Sequence, residues 1–119
     1  MTGPIVAQRI FAPDAVPADF ATRGGGLMAL RPASFQAGAV EIEDANRAIS
    51  GMVPRYGSIG LPVAILYGRD DQLLDPQLHG DRTAEMIPQA TLTHIAGGHM
   101  IPVTHPAETA NWLRTVVPA

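Results

Sequence analysis

The run PVAILYG at residues 62–68 is the clearest strand signal in this sequence. It is a compact apolar stretch bounded by proline and glycine, which is typical of a strand buried on both faces of a parallel sheet. Beyond a polar stretch, Asp75 suits a helix cap and Pro76 suits the first helical position, which predicts a helix to about Ile87. The chain therefore passes from a buried strand into a helix.

The rest of the C-terminal half repeats this alternation. A second strand is predicted at residues 91–96, and the glycine pair at residues 97–98 ends it. A last helix is predicted from Pro106 to about Val116. Two strands separated by a helix imply a right-handed parallel crossover. Residues 61–119 are therefore predicted to form a βαβα unit with two parallel strands, in an α/β fold.

The N-terminal half has a different character. Residues 24–26 are three consecutive glycines, and no stretch gives a good strand signal. Six of the eleven prolines fall in this half or at its border, and prolines break helices. We therefore expect residues 1–60 to form a layer of short helices. The six prolines are Pro4, Pro13, Pro17, Pro32, Pro54 and Pro62.

Composition excludes several functional classes. Eight basic residues stand against eleven acidic ones, for a net charge of -3, so the chain offers no basic surface for nucleic acid. It has no cysteine, which excludes disulfides, thiolate catalysis and cysteine-bound metal clusters. No apolar run approaches the length of a membrane-spanning helix, and the N-terminus does not look like a signal peptide. We expect a cytoplasmic protein with no nucleic-acid or membrane partner.

The candidate catalytic residues follow the two predicted strands. Asp70 and Asp71 lie after the first strand, and His99 follows the glycine pair after the second. The carboxyl ends of neighbouring parallel strands share one edge of a sheet, so an acid and an imidazole can meet there. We predict Asp71 and His99 as catalytic residues. Alternatively, Asp71 is a solvated loop carboxylate or caps a helix. In that case Asp70 would be the catalytic acid.

The remaining histidines lack metal-ligand spacing. His79, His94 and His105 have no carboxylate or histidine in a pattern such as HExxH. They are interpreted as structural or surface histidines. We therefore expect neither a metal nor a cofactor.

Four motifs together resemble the C-terminal part of α/β-hydrolase-fold enzymes. They are PVAILYGRDD at residues 62–71, IP at 87–88, GGHM at 97–100 and THP at 104–106. In that family the last two core strands carry the acid and the histidine of a catalytic triad. The resemblance implies that residues 61–119 are the C-terminal βαβα part of a hydrolase core.

Matched by position, Asp71 stands where the family has its triad acid and His99 where it has its triad histidine. Residues 11–56 are similar to the helical lid that precedes those strands in the family. The resemblance thus implies a division into a lid-like segment at 1–60 and a core part at 61–119.

The chain lacks the family's nucleophile and oxyanion hole. The nearest imitation of the GxSxG elbow is YGSIG at residues 56–60, which lacks the first glycine and precedes a strand instead of following one. Ser58 is therefore not expected to be a nucleophile. The resemblance implies a fragment of an enzyme that hydrolyses ester or related bonds, inactive alone. The alternative is a non-catalytic interaction or structural module derived from a hydrolase.

Two parallel strands also leave an open sheet edge and uncovered apolar faces. We expect either self-association into a homo-oligomer or a complementary N-terminal hydrolase segment to cover them. A small apolar substrate is expected if such a segment completes the site.

Overall fold

The structure is a computed structural model that describes residues 3–117, with side chains from residue 5 onward. Helices and strands alternate only in its C-terminal half. The elements are α1 (Gly3–Phe11), α2 (Pro32–Met52), β1 (Val63–Gly68), α3 (Arg82–Met86), β2 (Ala90–Ile95), α4 (Ile101–Thr104) and α5 (Pro106–Val116). Two short 3-10 helices, Gly26–Leu30 and Val53–Ser58, flank α2, and a π-helical turn, Gln77–Asp81, leads into α3.

The chain divides into two compact units. One joins the N-terminal segment, up to Val16, to the part of the chain from Ile59 onward, and the other is Pro17–Ser58. The sequence suggested a division at residue 60. In the structure, the N-terminal segment groups with the C-terminal half instead. Side-chain contacts explain this grouping, because Asp14 bonds to the backbone at Gly98.

The sheet consists, within the described residues, of β1 and β2 paired in parallel. Their register runs from Val63 opposite Ala90 to Gly68 opposite Ile95. The mixed α/β class and the two parallel strands are therefore confirmed. Both strands lie within one residue of their predicted bounds.

The crossover between the strands starts at a cap. The Oδ1 atom of Asp75 accepts hydrogen bonds from the backbone N–H groups of Gln77, at 2.8 Å, and Leu78, at 3.1 Å. These bonds satisfy donors that a helix start leaves free. The helix ends at Met86 because the next residue, Ile87, precedes a proline and is extended.

The strands are less buried than the sequence suggests. A strand with the composition of β1 is expected to be covered on both faces, yet Gly68 is its only buried residue. Three described apolar side chains are buried: Phe11, Ile87 and Ile101. Helices cover too little of a two-stranded sheet to bury both of its faces, so the core of this unit is small.

The second unit corrects the expectation of short helices alone. Helix α2 is 21 residues long. Pro32 occupies its first turn, where proline is tolerated, and the next proline, Pro54, comes after its last residue. The two prolines therefore delimit a long helix instead of breaking it up. None of its residues is buried.

The helices of the described residues are all too short or too polar to cross a membrane.

The close approach of the two strand-ending loops gives a first test. A Cβ on Gly68 would collide with the carbonyl oxygens of Gly97 and Gly98. We expect Gly68→Ala to lower the free energy of unfolding by about 1–3 kcal/mol, the usual cost of overpacking. Urea unfolding followed by circular dichroism measures this. Gly60→Ala is the matched control, since a Cβ there meets no atom within 4 Å. Equal stability of the two variants would contradict the packing described.

Candidate functional site

The loops after β1 and β2 are tied together by backbone bonds. The N–H of Arg69 donates to the carbonyl of Ile95 at 2.9 Å, and the N–H of Asp70 donates to that of Gly97 at 3.1 Å. The N–H of Gly97 in turn donates to Oδ2 of Asp70 at 3.0 Å. Parallel pairing therefore continues past the strand ends. Asp70 serves this connection, which leaves the next carboxylate to face the histidine.

The structure brings the two predicted site residues, Asp71 and His99, into contact. Nδ1 of His99 lies 2.9 Å from Oδ2 of Asp71. The other carboxylate oxygen, Oδ1, accepts hydrogen bonds from the N–H groups of Leu73, at 2.8 Å, and Leu74, at 3.0 Å. The side chain of Asp71 is 2% exposed, whereas that of His99 is 32% exposed. A buried, fixed carboxylate thus orients a partly open imidazole.

The protonation state of this pair follows from its bonds. Burial raises the pKa of Asp71, but the N–H of Leu74, the hydrogen bond to His99 and the N–H of Leu73 together hold it below its usual value. Asp71 is therefore ionised at neutral pH. An ionised carboxylate only accepts hydrogen bonds, so Nδ1 of His99 carries the hydrogen.

The second ring nitrogen of His99 remains available. Among residues 3–117, no hydrogen bond to Nε2 is formed. In the neutral imidazole with its hydrogen on Nδ1, Nε2 carries a lone pair and can accept a proton. The arrangement is therefore that of a general base with an orienting carboxylate.

The glycine pair before His99 shapes its loop. Gly97 has a φ of +115°, and a Cβ there would lie 2.6 Å from Cε1 of His105. A Cβ on Gly98 would collide with the backbone carbonyl of Ala12. A side chain at either position would push the loop out of place. Both glycines are thus needed for the backbone to bring His99 to Asp71.

Sequence reasoning missed Asp14. Its Oδ2 atom accepts hydrogen bonds from the N–H of Gly98 and from Oγ1 of Thr104, both at 2.9 Å, and lies 3.8 Å from Nδ1 of His105. The N–H of Gly98 lowers the pKa of Asp14, burial opposes this, and Thr104 and His105 add to the lowering. Asp14 therefore holds the residues on both sides of His99 in place, through Gly98 and Thr104. Its partner Gly98 is 84 residues away, and no local pattern signals such a contact.

Two of the other histidines, His94 and His105, have structural contacts. Nε2 of His94 lies 2.8 Å from Oδ1 of Asp81, which connects β2 to the crossover. His105 lies beside Thr104, with Nδ1 2.9 Å from Oγ1. In the part of the chain that the structure describes, no three or more acidic or histidine side chains are grouped closely enough to hold a metal ion.

Tyr67 supports the loop that carries Asp71. Its hydroxyl lies 3.5 Å from the carbonyl of Leu74, to which it donates. Burial, followed by the negative charges of Asp71 and Asp75, raises the pKa of Tyr67 to about 12. The phenol therefore stays protonated and remains a donor at neutral pH.

A pocket of about 370 Å³ opens beside the pair. Asp71 and His99 supply its main polar groups, and the rest of its wall is mostly apolar. The rest of the lining comes from Leu66, Tyr67, Gly68, Leu74, Gly98, Ile101, Pro102, Thr109 and Trp112. Such a volume suits a small apolar molecule or the end of another chain segment.

Ser58 has a structural role. It ends the 3-10 helix Val53–Ser58, and its hydroxyl donates to the carbonyl of Arg55 at 2.7 Å. It does not lie on a turn between a strand and a following helix, where α/β-hydrolases carry their nucleophile.

Comparison with known protein families, with curated proteins and with solved structures finds no match for this chain.

The tautomer of His99 gives a second test. In Asp71→Asn the carboxamide oxygen can keep the bonds from Leu73 and Leu74, which leaves the amide NH₂ to donate to Nδ1. We therefore expect the main neutral form of His99 to change from Nδ1–H to Nε2–H, as read from ¹⁵N chemical shifts. Asp75→Asn is the matched control, because Asp75 caps two backbone N–H groups in the same way without touching a histidine. An unchanged tautomer in Asp71→Asn would contradict the assignment.

The acid dependence of stability gives a third test. The pKa values of Asp14 and Asp71 are both lowered on folding. Each carboxylate therefore stabilises the fold above its unfolded pKa of about 3.9, and this contribution is lost as pH falls through the folded value. We expect the free energy of unfolding to drop steeply below about pH 4, and less steeply in Asp14→Asn. Urea titrations across this range measure it. Asp44→Asn, which changes an exposed carboxylate on α2, should follow the wild type; a common slope for all three would contradict this prediction.

Proposed function

We propose that this chain is the C-terminal part of an α/β-hydrolase-type enzyme, and that it supplies the acid and the histidine of a catalytic triad. The observation that carries the proposal is the contact between Nδ1 of His99 and the buried carboxylate of Asp71. That contact leaves Nε2 free on a residue that lines a pocket. The nucleophile comes from another chain or from a segment outside these residues.

The reaction proposed is hydrolysis of an ester or a related bond. Nε2 of His99 takes the proton of the nucleophile as the nucleophile attacks the carbonyl carbon, and then gives that proton to the leaving alkoxide. A water molecule, activated by the same nitrogen, releases the acid and restores the nucleophile. Asp71 holds the imidazole in position and stabilises its protonated form between these steps.

The partner part of the proposal rests on what the strands leave uncovered. Apart from Gly68, the residues of β1 are only half-buried or exposed, although an apolar strand of a parallel sheet is normally covered on both faces. An open edge of such a strand is normally paired or protected. Self-association or a complementary N-terminal hydrolase segment would cover it.

The substrate part rests on the pocket beside His99. Leucine, isoleucine, proline and tryptophan side chains contribute to its wall. They favour a small apolar substrate over a charged one. The cytoplasmic location expected from the sequence stays a prediction.

Complementation tests the function. The purified chain is assayed with a chromogenic short-chain ester, alone and after mixing with a segment that carries further parallel strands and a GxSxG elbow. We expect no turnover from the chain alone and turnover on mixing. In the mixture, His99→Ala should abolish the reaction and Asp71→Asn should lower kcat by about 10⁴-fold, the cost of the wrong tautomer in a triad.

Two matched variants control this experiment. His79→Ala removes a histidine with no assigned role, and Asp75→Asn changes a capping carboxylate; both should leave turnover unchanged. Turnover that survives His99→Ala, in the chain alone or in the mixture, would refute the proposed roles.

A non-catalytic interaction module is the second candidate. The observation that favours it is α2, a long helix with no buried residue and several exposed apolar side chains. Absence of turnover with every complementing segment would support this alternative.

A further inference from the structure

Helix α2 carries an apolar stripe with the spacing of a helix-pairing surface. Its members alternate three and four residues apart, which places them along one side of the helix. Two of them, Phe35 and Ile42, are 71% and 65% exposed. The stripe consists of Phe35, Gly38, Ile42, Ala45, Ile49 and Met52.

This helix lacks the packing that a helix of its length needs. Most helical stability in proteins comes from packing an apolar face. None of the residues of α2 is buried, and a glycine at position 38 costs about 1 kcal/mol relative to alanine in a helix interior. A partner for the stripe would supply the missing stabilisation.

The charged residues of α2 lie outside the stripe. Arg47 pairs with Glu43 at 3.4 Å and with Asp44 at 3.3 Å, and these three residues lie off the stripe. The remaining acidic residue, Glu41, flanks the stripe next to Ile42. An uncharged apolar stripe with its charges turned away suits a helix of the same kind.

The sizes along the stripe point to the occupant. Large side chains at 35, 42 and 49 alternate with small residues at 38 and 45. Two copies of α2 can pair antiparallel about a two-fold axis that crosses the helix at the level between residues 43 and 44. In this pairing, every isoleucine of the stripe meets a small residue of the second copy. Ile42 then faces Ala45 of the second copy, and Ile49 faces Gly38.

The same pairing also gives favourable contacts at the ends of the stripe and avoids repulsion between charges beside it. Phe35 faces Met52 of the second copy, a contact between two large apolar groups at each end. Glu41 lies beside Ala48 of the second copy, so no two carboxylates oppose each other.

The parallel arrangement fits worse. It places Ile42 on Ile42 and Gly38 on Gly38, so crowded layers alternate with empty ones. Among the described residues, neither packing nor backbone conformation requires glycine at position 38, because a Cβ there meets no atom within 4 Å and its φ is not positive. The space at Gly38 is explained by the isoleucine that the antiparallel copy inserts.

We propose that α2 is a self-docking surface, through which two copies of this chain form an antiparallel helix pair. A single pair of helices lies at the small end of specific interfaces, so the dimer is concentration-dependent. The proposal does not depend on the catalytic roles of Asp71 and His99, since none of the stripe residues belongs to that site.

Sedimentation equilibrium of the full chain tests the proposal. We expect a reversible monomer–dimer equilibrium in the wild type. Gly38→Leu sets leucine against Ile49 of the second copy and should raise the dimer dissociation constant at least about tenfold. Gly51→Leu is the matched control: Gly51 is also helical and open, but it lies off the stripe, so the dimer should persist.

A size swap tests the register. Ala45→Ile alone places isoleucine against Ile42 and should weaken the dimer by about tenfold. Adding Ile42→Ala restores one large and one small residue in each layer, and the dissociation constant should return to near that of the wild type. Helix content, read by circular dichroism at a concentration where the wild type is also monomeric, should not fall in Gly38→Leu, because leucine favours helix over glycine.

Several outcomes would overturn the proposal. A monomer at about 100 μM would exclude a useful interface. A dimer tightened by Gly38→Leu would indicate parallel pairing, in which leucine fills the empty layer. An oligomer that responds equally to Gly38→Leu and Gly51→Leu, or a swap that fails to rescue, would place the contact elsewhere.

Discussion

The candidate site depends on the connection between two loops beyond the sheet. Asp70 and Gly97 bond to each other twice, which extends parallel pairing past the end of each strand. Asp71 is thereby turned to the other side, where it meets His99. Two adjacent carboxylates thus have different roles, one holding the loops together and the other orienting an imidazole. Without the first connection, the second contact would have no fixed geometry.

The contact between Asp71 and His99 could be predicted from the sequence because its signals are local. An apolar run ended by glycine marks the edge at which Asp71 emerges, and a glycine pair marks His99. Asp14 could not be found in this way, because its contact with Gly98 depends on folding across most of the chain. The length of α2 was wrongly predicted because Pro32 was weighed as a breaker, whereas it opens the helix.

The strands contain a conflict between local composition and their surroundings. The sequence of β1 is that of a strand buried on both faces, yet the chain covers it only in part. In a foldable sequence, local composition and tertiary surroundings usually agree, and β1 departs from that rule. The same holds for α2, whose apolar stripe is exposed. Both features leave apolar side chains uncovered in the part of the chain that the structure describes.

Symmetry separates the two kinds of partner. Two copies related by a two-fold axis present the same surface to each other, so identical strand edges would pair antiparallel. Such a pair would turn the parallel sheet into a mixed one, whereas a strand from a different segment could continue it in parallel. The stripe on α2, by contrast, is complementary to itself when reversed. The contact proposed at the sheet edge and the contact proposed on α2 use different surfaces, so one assembly can contain both.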